Sequence, residues 1–231
     1  MFAPSTWWRL FELHNQALWP AQGLVVLLGL AIAVGLWLGH PFALRGAAAF
    51  LALSWVVVAW AFLWQRYAAI NWAATGFAWA FCVQALGLLV LSTRALHMQA
   101  SRPARWVGVG LVLWAVLAHP VLAPLLGRPW AQAEVFALAP DPTAIATLGV
   151  LLCADAGSRV TRALLAVLRV GALLWCAVSG ATLATMGSAQ AGVLLVAMVV
   201  ATAAPAWARA RTSGRLHSGQ RKKKRNGAST I

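Results

Sequence analysis

The 231-residue chain is 62% hydrophobic and 10% charged and carries 14 tryptophans, more apolar surface than one soluble core absorbs. Eighteen Lys and Arg stand against four Asp and Glu, a formal net charge of +14. These figures exclude a soluble globular domain and indicate a polytopic membrane protein.

Crossing the bilayer hydrocarbon takes roughly 20 apolar residues of helix, and about seven such runs follow one another. They are too long and too unalternating for barrel strands, so the expected fold is an all-α transmembrane helical bundle. The opening MFAPSTWWRL lacks the basic start and small-residue cleavage site of a signal peptide, so the first run is expected to remain as a span. Just before it, LFELHNQALWPAQG sets Glu12, His14, Asn15 and Gln16 together, as a helix cap or as one wall of a site. Spans are predicted at 17–39, 46–65, 70–92, 106–127, 138–154 (a short one), 163–185 and 189–208, broken by Pro- and Arg-bearing loops.

Short cytoplasmic loops accumulate Lys and Arg. Seven spans put Arg45, Arg94, Arg102, Arg105, Arg159, Arg162 and the tail on one side, against Arg9, Arg66 and Arg128 on the other. The C-terminus is therefore expected inside and the N-terminus outside. Residues 1–208 read as the transmembrane domain. Residues 209–231 read as a disordered basic cytoplasmic tail, whose run Arg221, Lys222, Lys223, Lys224 and Arg225 either binds anionic lipid headgroups or only locks topology. The tail lacks the aromatic or groove-reading residues that nucleic-acid binding needs. No convincing internal repeat is present.

On this topology the polar residues gather at the outer ends of spans. The candidate crevice comprises His14, Asn15, Arg66, Tyr67, Asn71, His119, Arg128, Glu134, Asp141 and Thr143. His119 lies about thirteen rises of 1.5 Å, roughly 20 Å, into its span, in the outer half of the hydrocarbon. Pro120 and Pro124 are expected to kink that helix, and a neutral His119 bonded to a freed carbonyl accounts for it as well as a functional role does. In APDPTAIATLG, Thr143 reads as an N-cap beside Asp141. A functional Asp141 would pair with Arg66 or Arg128, or bind a cation with Glu134. Asp155 and Arg169 read as a local ion pair or a snorkelling arginine. Cys82, Cys153 and Cys176 read as buried small hydrophobes. Trp55, Trp60 and Trp114 are expected to pack in the interior.

No HExxH or CxxC spacing, nucleophile elbow or Walker motif occurs, so no metal, cofactor or ATP-driven step is expected and the chain does not read as an enzyme. The ordered set HNQALWPAQ, RYAAINWAA, HPVLAPLLGRPW and APDPTAIATLG, over residues 11–202, resembles a bacterial membrane-protein family of unknown function (domain of unknown function 6064). The chain departs from its pattern at Trp72, where the family has INPAA, and at Asp141 and Ala144, where it has PCPTT. The resemblance implies a multi-pass protein of the bacterial cytoplasmic (inner) membrane and carries no catalytic or binding residue over. Two functions follow from the residues: an outward-facing polar crevice that binds or conducts a small solute or ion, or a non-transporting interaction or assembly protein that docks an unidentified partner by its outer face or basic tail.

Overall fold

The computed structural model describes residues 3–204. It is all-α apart from one short ribbon. Helices α1 (Pro4–Ala17), α2 (Ala21–Leu38), α3 (Ala43–Val57), α4 (Ala74–Ser92), α5 (Arg102–Leu113), α6 (His119–Leu125), α7 (Pro140–Cys153) and α8 (Arg159–Thr185) precede α9 (Gln190–Ala204). The ribbon pairs β1 (Leu96–Met98) with β2 (Ala154–Ala156). The tail and its Arg221–Arg225 run lie outside the described residues.

Five helical stretches are long and apolar enough to cross a membrane: Ala21–Leu38, Ala43–Ala69, Ala74–Ser92, Arg102–Leu125 and Arg159–Thr185. They coincide with five of the seven predicted spans. The other two, α7 and α9, are apolar but shorter; the 14 residues of α7 rise only about 21 Å, against roughly 30 Å of hydrocarbon. Large apolar side chains such as Leu24, Leu27, Leu38, Trp79, Val83 and Leu174 point outward from the long helices. An apolar exterior of this extent is compatible with a bilayer.

The polar stretch ahead of the first span is neither its cap nor part of it. Pro4–Ala17 is a separate amphipathic helix, with proline in its first turn and Trp7, Trp8, Leu10, Phe11 and His14 buried at helical spacing. It ends where the Leu18 N–H meets the His14 carbonyl, and α2 starts afresh at Ala21. Gly39, at φ +70°, terminates α2 in a left-handed cap that a side chain would strain.

Helix α7 is buried on every side, packed against α3, α5 and α8. Its approach to α5 depends on two glycines. A Cβ on Gly108 would stand 2.5 Å from the Gly149 carbonyl oxygen, and one on Gly149 would stand 2.5 Å from the Gly108 oxygen. Between α5 and α6 the regular hydrogen bonding gives way to a π-helical turn at Trp114–Ala118, just before Pro120 removes a donor. A second π-helical segment, Val58–Trp64, extends α3.

The β1–β2 ribbon pairs Leu96 with Ala156 and Met98 with Ala154, tying the α4–α5 and α7–α8 connections together at one end. Three interior expectations need correction. Only Trp55 of the three deep tryptophans is buried; Trp60 and Trp114 are exposed, and so is Cys82. Such side chains suit an apolar exterior as well as a core.

Candidate functional site

Helix α1 lies across the end of the bundle opposite the ribbon. His14, 1% exposed, turns inward from it between two groups that leave one tautomer. A carbonyl only accepts and a guanidinium only donates, so His14 Nε2–H donates to the Leu138 oxygen (3.0 Å) while Nδ1 accepts from Arg66 Nε (3.2 Å). Burial first, and the Arg66 charge with it, lowers the His14 pKa to about 4, so the ring is neutral at ordinary pH. Asn15 Nδ2 donates to the Ala131 and Ala133 carbonyls at 2.9 and 2.8 Å, which fastens α1 to the loop before α7. Glu12 takes Arg9 on its own helix and Gln132 from that loop.

From the same loop an arginine leads inward to a buried acid and histidine. The Arg128 guanidinium stacks 3.5 Å over the Trp8 ring and donates to Gln190 Oε1 at 2.6 Å. The Gln190 amide nitrogen in turn donates to Glu134 Oε1 and lies 3.4 Å from His119 Nε2. His119 Nε2 and Glu134 Oε2 are 3.6 Å apart. Gln190, Glu134 and His119 are at most 3% exposed. Neither Glu134 Oε2 nor His119 Nδ1 meets a hydrogen-bond partner among the described residues. Buried polar atoms are ordinarily satisfied, because leaving one unpaired costs on the order of 1–3 kcal/mol.

Asp141 completes the group. It sits in the first turn of α7 and interacts electrostatically with Glu134 and His119. Its carboxylate accepts from Trp175 Nε1 and Ser179 Oγ of α8, each at 2.8 Å, and not from Arg66 or Arg128. Thr143 is not the N-cap: the cap position is Ala139, and Thr143 lies one turn inside. Its hydroxyl accepts the Ala137 N–H (3.0 Å) and donates to the Ala139 carbonyl (2.6 Å). That bond holds Ala137 at φ +66°, a left-handed backbone that alanine seldom adopts.

Of the ten predicted site residues, His119, Glu134, Asp141 and Arg128 thus converge, and His14 with Arg66 forms a neighbouring pair. Asn15 and Thr143 hold backbone. Asn71 and Tyr67 bond to each other (2.7 Å), and Asn71 Oδ1 takes the Ala73 N–H ahead of α4 in a local turn. The expected open crevice is instead a largely enclosed polar interior: His14, Tyr67, His119, Glu134, Asp141 and Thr143 are buried, and Asn15, Arg66, Asn71 and Arg128 are half-buried at its edge. Sequence reasoning passed over Gln190, Trp8, Trp175 and Ser179. Gln190 had a signal, as a lone amide at the outer end of the last apolar run; the other three carried none. At the opposite end Arg169 donates to the Leu151 carbonyl (2.6 Å), and Asp155 takes the Ala156 N–H (2.8 Å). Among the described residues no three His, Cys, Asp or Glu side chains converge as metal ligands.

Architecture and site together define a helical protein with membrane-length apolar helices and an ionisable interior at one end. The chain belongs to a family of unknown function, DUF6064, whose model matches residues 5–215. No curated protein and no solved structure matches it.

Proposed function

We propose that this is a multi-pass integral protein of the bacterial cytoplasmic (inner) membrane that binds or conducts a small solute or ion from its outer face. In this reading α7 and α9 cross with the five longer helices, the N-terminus lies outside, and the C-terminal tail lies inside against anionic lipid. The gathering of Arg45, Arg94, Arg102, Arg105, Arg159 and Arg162 toward one side supports the orientation. The site is the group Arg128, Gln190, Glu134, His119 and Asp141, with His14 and Arg66 beside it.

One observation carries the reading: Glu134 and His119 are enclosed in an apolar bundle, and yet among the described residues Glu134 Oε2 and His119 Nδ1 have no hydrogen-bond partner. Ionisable groups within a membrane bundle are costly and typically mark ion or proton paths. A buried carboxylate and histidine 3.6 Å apart, with Asp141 acting on both electrostatically, suit the passage of a proton or small cation rather than a fixed metal site. The test is flux into liposomes bearing the reconstituted full chain, with H+, Na+ and K+ supplied in turn. Wild type should pass at least one of them, and Glu134→Gln should slow it at least tenfold. No flux and no cation-dependent thermal shift in wild type would sink the proposal.

A second reading, docking of a partner helix without transport, has one feature in its favour. An open apolar groove of about 610 Å³ runs between α5 and α9, floored by the small residues Gly110, Ala189, Gly192 and Ala197. Small residues let helices approach closely in a bilayer. Loss of a co-purifying membrane partner on Gly192→Leu, with flux absent from wild type, would favour it.

A further inference from the structure

We infer that the pocket between the end of α2 and the first turn of α5 holds the phosphate group of an anionic phospholipid. This site is at the ribbon end, away from the acid and histidine cluster, and does not depend on what that cluster does. It is a cavity of about 140 Å³ lined by Trp37, Arg102, Arg105, Trp106 and Val109.

Three features give it an anion's chemistry. Three other arginines at this end are occupied: Arg45 donates to the Ser92 carbonyl, Arg162 to Ala156 and Arg169 to Leu151, while Arg94 and Arg159 do not line the pocket. Among the described residues the Arg102 and Arg105 guanidinium groups have no such acceptor, and the ion pairs are Arg9–Glu12 and His119–Glu134, both elsewhere. Both arginines also lie in the first turn of α5, which contains no acid and whose Ser101 cap makes no side-chain bond. Cations are unfavourable at the positive end of a helix dipole, and open backbone N–H groups there favour an anion. A phosphate resolves both at once, since a guanidinium fork matches two of its oxygens.

The remaining wall makes the ligand amphiphilic. The Trp37 and Trp106 rings meet edge to face with centroids 4.0 Å apart, each about half exposed. Val34 and Leu38, next to Trp37 on α2, are exposed as well, so an apolar track leads away from the charged pocket. Tryptophan beside arginine at the end of an apolar helix is the arrangement of a membrane interface. A free phosphate would use the arginines and leave this track unused. A phospholipid uses both, with its acyl chains along α2.

The test is the thermal shift of the purified full chain in detergent on titration with phosphatidylglycerol, phosphatidylcholine or inorganic phosphate. Phosphatidylglycerol should stabilise wild type, and the other two should not. R102Q/R105Q should weaken the apparent affinity at least tenfold. R94Q/R159Q, which removes the same charge from unpaired arginines at the same end, should stay within twofold of wild type. R102K/R105K keeps the charge without the fork and should weaken binding at least threefold, which also guards against a folding defect in the glutamine pair. Equal loss in R102Q/R105Q and R94Q/R159Q would overturn the proposal in favour of a diffuse basic field. An equal shift from inorganic phosphate would make the ligand a free anion, and one from phosphatidylcholine, which has the phosphate but no net charge, would overturn the preference for an anionic lipid.

Discussion

Single residues at the α1 end carry consequences for acid stability. His14 is held neutral by a carbonyl on one nitrogen and the Arg66 guanidinium on the other, with its pKa lowered to about 4. An unfolded histidine titrates near 6.5. Above pH 6.5 both states are neutral and stability is unaffected; between 6.5 and 4 only the unfolded state takes up the proton, so stability falls as pH falls. The full loss is roughly 3 kcal/mol. Melting temperature in detergent should drop across that window in wild type, and the drop should be smaller in His14→Gln, which cannot titrate. A second expectation concerns Asp141. Removing one of its two donors by Ser179→Ala should cost about 1–3 kcal/mol by thermal or denaturant unfolding. An unchanged midpoint would mean that this bond contributes nothing. The types and depth of these residues were legible in the sequence, since few ionisable groups interrupt the apolar runs. Their partners were not, because Asp141 reaches Trp175 and Ser179 across 34 and 38 positions.

Among the elements, α7 decides the most. It is too short to follow the long-helix pattern, and its neighbours bury it on every side. The α5–α7 crossing should fail when either glycine gains a methyl group. Gly149→Ala forces a Cβ to within 2.5 Å of a backbone oxygen that no rotamer change can move, and should cost on the order of 1–3 kcal/mol. Gly110→Ala on the same α5 meets nothing within 4 Å and should be neutral or slightly stabilising through helix propensity. Similar midpoints for the two variants would contradict the glycine crossing. Five apolar runs were readable as long helices because each alone satisfies a length and composition requirement. Helix α1 escaped notice because its buried face is mostly aromatic and its other face polar. The ribbon escaped because three-residue strands pair only once the helices bring them together.

Among the described residues three of the four acids lie toward the α1 end with Arg9, Arg66 and Arg128, and the ribbon end is basic apart from Asp155. The ribbon unites the α4–α5 and α7–α8 connections at the basic end, which agrees with the proposed orientation, in which both lie on the same side. With native cysteines replaced, Trp72→Cys should label in intact cells with a membrane-impermeant thiol reagent, and His97→Cys only after lysis. Labelling of both from outside would overturn the orientation. Composition and apolar run length by themselves determined the apolar character of the exterior, the helical class and the location of the ionisable residues along the chain, because desolvating a backbone or a charge is costly whatever the fold. Only the tertiary structure decided that the polar group is enclosed rather than open, that Gln190 bridges Arg128 to Glu134, and that α7 rather than a long span forms the centre. Those outcomes depend on which helix faces meet, and in a chain this uniformly apolar the hydrophobic pattern does not distinguish one face from another.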